Sequence, residues 1–166
     1  MSDTIEFLPE RRAEVRVAGY VTRYVRRGVG RPVVLLAPPS ETDALWPELL
    51  DAIAAQHRLV LPEVPAHEAG FSSWLRGFLD GVGLPLVSLI AAGACCLPAV
   101  ELALLDPERL ERLVLVPDGC AEVTGLMGML GTEGRPGALP VLVLRRAVPA
   151  SDALQLVEPF LLDAPP

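Results

Sequence analysis

The chain has no lysine and no asparagine, and aromatic residues make up only 5% of its 166 positions. Lysine and asparagine both use AT-rich codons, so their joint absence is what a GC-rich bacterial genome would leave. Cysteine is scarce as well: only Cys95, Cys96 and Cys120 are present. An odd number with two adjacent suits reduced thiols better than a disulfide framework, since neighbouring cysteines could join only in a strained vicinal bridge. No apolar run approaches the roughly 20 residues of a membrane span. The opening stretch, MSDTIEFLPERR, is acidic then basic and lacks the apolar centre of a signal peptide. A cytoplasmic protein with no membrane partner is the expectation. Positive charge is short, with 14 arginines against 21 acidic residues and a net charge of −7. An acidic surface repels phosphate backbones, and no basic stripe stands out beyond RRGVGR near position 26, so nucleic acid is not an expected partner.

Apolar residues, by contrast, are plentiful at 51%. At this length one domain is expected, burying roughly two-thirds of its unfolded surface without metals or disulfides. Residues 1–12 read as an N-terminal arm. Residues 13–27, AEVRVAGYVTRYVRR, alternate apolar and polar about a Gly-Tyr turn at 19–20, which predicts a hairpin with one buried face. VVLLA (33–37), RLVLPEVP (58–65), PLVSLIAA (85–92), RLVLVP (112–117) and PVLVLR (140–145) are apolar runs of the kind that forms strands covered on both faces. Helical spacing runs through TDALWPELLDAIAAQ, with Leu45, Leu49 and Ile53 on one side and Thr42 or Asp43 as N-cap. It recurs in SSWLRGFLDGVG, in LPAVELALLD and in SDALQLVEPFLLD, where Pro159 is expected to limit or bend the helix. The tract 119–138 holds six glycines and reads as a flexible connection with one helical turn around Met127. Strands alternating with helices predict a three-layer α/β fold, with a mainly parallel sheet and an antiparallel hairpin at one edge.

From about position 13 to 145, segments in this order resemble the α/β-hydrolase superfamily. GYVTRYVRRGVGRPVVLLAPP resembles its entry hairpin and third strand, and RLVLPEVPAHEAG its fourth strand and following loop. PLVSLIAAGACC stands where the nucleophile strand and elbow belong, LLDPERLERLVLVP resembles the next helix end and strand, and PVLVLRR the strand that delivers the triad acid. The resemblance implies a minimal hydrolase-like core, without the last strand and with the Gly-rich tract in place of a lid. It also implies that triad hydrolysis has been lost. The family's G-x-S-x-G elbow presents a nucleophile on a sharp strand-to-helix turn. Counting back from Pro107 puts that position at Gly93, which has no side chain to attack with. The oxyanion loop reads Ala37-Pro38-Pro39, and neither proline offers an N–H. Where an acid should follow PVLVL stand Arg145 and Arg146.

Two readings of the remaining residues stay open. In the first, the protein is non-hydrolytic and binds an apolar or acyl-type small molecule, or a protein partner. Its pocket would lie at the C-terminal strand ends, lined by Ala37, Pro38, Ser40, Ala94 and Cys120. In the second, a register shifted by two places makes GACC a cysteine elbow like that of the dienelactone-hydrolase branch. Cys95 or Cys96, beside a helix N-terminus that favours thiolate, would then carry an acyl group as a transferase or thioesterase. His67 would serve as base and Asp118 as acid. Against this, the two cysteines also suit space-filling between helix and sheet, His67 suits a loop-shaping role, and Asp118 suits the turn in Pro-Asp-Gly. His57, at a predicted helix end, reads as a favourable C-terminal charge. No metal-ligand spacing or phosphate cradle is visible, so no cofactor is expected. A sheet that stops at residues 140–145 would expose an edge, and a homodimer through it is expected unless the final helix covers it.

Overall fold

A computed structural model of the chain describes residues 10–38, 47–65, 70–118, 120–130, 139–145 and 148–162. Its centre is a seven-stranded sheet formed by β1 (Arg11–Val17), β2 (Tyr20–Arg27), β3 (Pro32–Leu36), β4 (Arg58–Pro62), β5 (Val87–Ala92), β6 (Leu110–Val116) and β7 (Val141–Val143). The strands lie in the order β1-β2-β4-β3-β5-β6-β7. From β4 to β7 all neighbours are parallel, while β1 pairs with β2, and β2 with β4, antiparallel. The expected mainly parallel sheet with an N-terminal hairpin is therefore present.

Successive side chains of a strand point to opposite faces, so a strand apolar throughout needs cover on both. One face collects Val34, Leu36, Leu89, Ala91, Leu113 and Leu115. It packs under α2 (Phe71–Gly81), α3 (Cys96–Leu105) and α4 (Cys120–Leu130). The other collects Val33, Leu35, Ile90, Ala92, Val114 and Val116 under α1 (Pro47–Gln56) and α5 (Ala150–Leu162). Three layers and two cores result. Each fully buried Leu, Ile or Val contributes about 1.5–3 kcal/mol, so the central strands dominate the stability. Among the described residues, no helix is long and apolar enough to cross a membrane.

The hairpin is held to this body by α2. Gly77 and Gly81 let the helix approach β1 closely: a Cβ at either would come 2.8 Å from Val17 Cγ1 or 2.6 Å from Val15 Cγ2. Half of the chain's few aromatics gather at this contact. Trp74 stacks on Phe78, Tyr24 and Phe71 meet that pair edge-on, and Trp74 Nε1–H donates to the buried Thr22 hydroxyl at 3.0 Å.

Several details depart from the sequence expectations. The hairpin turn is made by Ala18 and Gly19, with φ of 51° and 87°, and not by Gly19 and Tyr20. Two positive φ values in succession match the twist of a two-residue hairpin loop, and Tyr20 already belongs to the return strand. The Gly-rich tract carries an 11-residue helix, α4, in place of a single turn around Met127. Leu126, buried against the first core, supplies the tertiary contact that outweighs poor glycine propensity. The helix α5 continues through Pro159 to Leu162. Pro159 and Gln155 are exposed, so the carbonyl deprived of its N–H partner faces water, while Ala153, Val157 and Leu161 keep the helix on the sheet. The last strand is three residues long and half-buried, because it lies at the sheet's outer edge. His57 directly follows the last residue of α1 and is buried there. The Thr42 and Asp43 caps, Leu45, and most of the 1–12 arm lie outside the described residues.

Gly28, between β2 and β3, has φ +76°, and a Cβ there would run into the backbone carbonyl oxygens of Ala54 and His57. Backbone cannot swing aside as a side chain can. Gly28→Ala is expected to lower stability by at least about 2 kcal/mol through clash and strain together. A denaturant titration checks this, and an unchanged midpoint would show that the close approach is not needed.

Candidate functional site

Three neighbouring parallel strands end on the same side of the sheet. Strand β3 runs into Ala37 and Pro38, β5 into Gly93, and β6 into Pro117 and Asp118. In open parallel sheets this is where ligands collect, because loops diverge there and leave a crevice.

The geometry of the central bend is specific. Ala92 is still extended, with φ −118° and ψ 146°, whereas Gly93 has φ +54°. A short 3-10 turn covers Gly93–Cys95 and passes directly into α3. Cys95 (φ −75°, ψ −12°) and Cys96 (φ −62°, ψ −44°) are already right-handed helical. The left-handed residue that turns strand into helix is therefore Gly93, and neither cysteine adopts that conformation. A left-handed backbone costs most residues about 1–2 kcal/mol but glycine very little.

The helical start at 95 and 96 decides where the sulfurs go. Cys95 is 2% exposed and Cys96 0%, and both belong to the core formed with Ala99, Val100 and Leu102 of α3. The Cys96 thiol donates to the Ala91 carbonyl at 3.3 Å, tying the first turn of the helix back to β5. Ala94, between the bend and the thiols, is exposed. Asp118 is also exposed, one residue beyond the buried Pro117. Ser40 and His67 lie outside the described residues, and Cys120 opens α4 with its side chain likewise outside them. Among the described residues, no three His, Cys, Asp or Glu side chains gather as a metal site.

A described cavity lies to one side of this bend. Its volume is about 510 Å³, and it is lined by Val25, Leu35, Ala37, Leu61, Pro62, Glu63 and Val64. Only Ala37 among these was a candidate from sequence. Apart from Leu35 of β3, the others come from the hairpin, β4 and the residues just after it, and nothing in a linear reading shows that these meet beside Ala37. The signal available was the alternation that puts Val25 opposite Leu61 in register.

No protein-family model matches the chain, and no curated sequence does either. Solved structures do match it. The chain superposes on naproxen esterase (carboxylesterase NP) from Bacillus subtilis with a TM-score of 0.59 and 15% identity, over 66% of this chain and 44% of that one. Carboxylesterase CesB from the same organism gives 0.59 and 21%, over 66% and 43%. The epoxide hydrolase CorEH gives 0.58 and 20%, over 65% and 42%. This chain has an α/β-hydrolase-like fold. At such identities the likeness concerns the fold alone, and the chain spans less than half the length of these hydrolases.

In the hydrolase-like frame the bend at Gly93 carries a testable cost. Gly93→Ala is expected to destabilise the protein by about 1–2 kcal/mol, because alanine must hold the left-handed conformation. Equilibrium unfolding of the two proteins gives the difference, and equal stability would mean that the bend is not left-handed.

Proposed function

We propose that this hydrolase-like chain is non-hydrolytic and binds an apolar or acyl-type small molecule. The observation that carries the reading is Gly93: the residue at the left-handed strand-to-helix bend has no side chain with which to attack. Supporting it, the two neighbouring thiols are packed in the core, one of them engaged with the Ala91 carbonyl. Proline at position 38 supplies no N–H to a developing oxyanion. The cavity beside Ala37 is apolar apart from Glu63, which suits a neutral acyl or alkyl body entering over Val25, Leu35, Leu61 and Val64.

Burial of both thiols also bears on the alternative, cysteine-dependent acyl transfer. That chemistry needs a sulfur reachable by the thioester carbonyl, and Cys95 and Cys96 would have to leave the core first. Incubation with an aryl thioester followed by intact-protein mass measurement is expected to show no acyl adduct on either. An adduct that disappears in Cys95→Ala or Cys96→Ala would replace the binding reading with the catalytic one. Binding itself is read from the melting temperature: a medium-chain neutral ester is expected to raise it in a concentration-dependent way, and Leu61→Arg to abolish the rise.

The proposal extends to pairing of two copies along β7. Val141, Leu142 and Val143 are half-buried and, among the described residues, form the outer edge of the sheet, where an apolar strand invites pairing. Light scattering is expected to give twice the 17.7 kDa chain mass. A monomer at high concentration rejects the pairing without touching the ligand reading.

A further inference from the structure

Charge is distributed very unevenly over the fold. Residues 11–31 contain seven arginines and one glutamate, a charge of +6, in a chain whose total is −7, so the other 145 residues carry −13. Along the sequence these arginines are scattered, but the hairpin gathers them. Arg11 stands directly opposite Arg26, Arg12 opposite Val25, Glu14 opposite Arg23 and Arg16 opposite Val21. Like charges directly across a strand pair are destabilising, so the Arg11–Arg26 pairing carries a cost in the isolated protein. Arg23 is satisfied by Glu14 at 3.1 Å, Arg27 by Asp51 at 2.6 Å and Arg31 by Glu111 at 2.9 Å. Arg11, Arg16 and Arg26 form no ion pair among the described residues.

Three of these arginines, Arg11, Arg12 and Arg16, lie on the outermost strand. At seven residues β1 is more than twice as long as the other edge strand, and among the described residues it bonds to β2 alone. Its Val15 and Val17 turn toward α2, which puts Arg12, Glu14 and Arg16 on the opposite face. There an open depression of about 680 Å³ runs past Arg12, Glu14, Arg23, Leu61 and Glu63. Charges on an edge strand keep identical edges apart. In a symmetric antiparallel pair of β1 strands centred on Glu14, Arg12 would face the other copy's Arg16, so this edge rejects itself. The same pattern attracts a strand of opposite charge.

We propose that β1 is a docking edge for an extended acidic segment of a partner protein, which adds to the sheet beside it. Main-chain hydrogen bonds along β1 supply the affinity, and carboxylates facing Arg11, Arg12 and Arg16 supply the choice of partner. Antiparallel addition gives the recognition pattern directly. Acids are wanted opposite Arg16, Arg12 and Arg11, small apolar residues opposite Val15 and Ala13, and a neutral residue opposite Glu14. A long polyanion fits less well, because it must also pass the surrounding acidic surface.

The test uses a capped, fluorescent peptide VEVTVEE and its counterpart VKVTVKK, with anisotropy measured on the full chain. VEVTVEE is expected to bind saturably, VKVTVKK not to bind, and hydrogen exchange of β1 amides to slow in the complex. The double variant Arg12→Glu/Arg16→Glu, altered at exposed positions only, is expected to lose at least about tenfold in affinity for VEVTVEE and to gain binding of VKVTVKK. That reversal separates recognition from a folding defect. Equal binding of both peptides by the natural chain, or binding that leaves β1 exchange unchanged, overturns the proposal. So does tighter, equally variant-sensitive binding of single-stranded DNA or of anionic vesicles, which would make the edge a simple polyanion surface.

Discussion

A single left-handed residue, Gly93, turns the chain from the central strand β5 into α3, and the arrangement of the candidate site follows from it. With the turn made at position 93, positions 95 and 96 enter the helix, and helical geometry drives their side chains down onto the sheet. Two cysteines that look exposed to chemistry in a linear reading thus become part of the core that holds α3 in place. The Cys96 thiol bonded to Ala91 reinforces the same turn from the inside.

The sheet on which this bend sits is stabilised from both faces, and its two cores are built from alternate residues of the same strands. Among the described residues α2 covers the hairpin, through glycines that permit close approach and an aromatic cluster that fills the gap. The opposite face of the hairpin stays open toward β4, where both described cavities lie and where Val25, Leu61 and Glu63 are shared between them. The hairpin is also strongly positive, beside a body of opposite sign.

Much of the architecture was legible because it rests on local pattern. Runs such as VVLLA and VSLIAA, flanked by helical spacing in LLDAIAAQ and LPAVELALL, announce buried strands between covering helices without any knowledge of neighbours. The departures turn on contacts and exposure that a linear reading does not carry. Leu126 makes a helix of a tract whose glycines argue against one, and water around Gln155 lets α5 tolerate Pro159. The short, half-buried β7 reads like a full core strand because its residues are as apolar as those of β6.

The sequence alone determined the class of fold, the order of its elements and the absence of a side chain at Gly93, since these depend on residue type and spacing. Tertiary structure decided which residue carries the positive φ, that Cys95 and Cys96 face inward, and that arginines far apart in the chain form one charged edge. The physical reason is register. Which face a side chain takes, and what stands opposite it, are set by pairing between strands and by the residue at which a helix begins, and a shift of one or two positions reverses both.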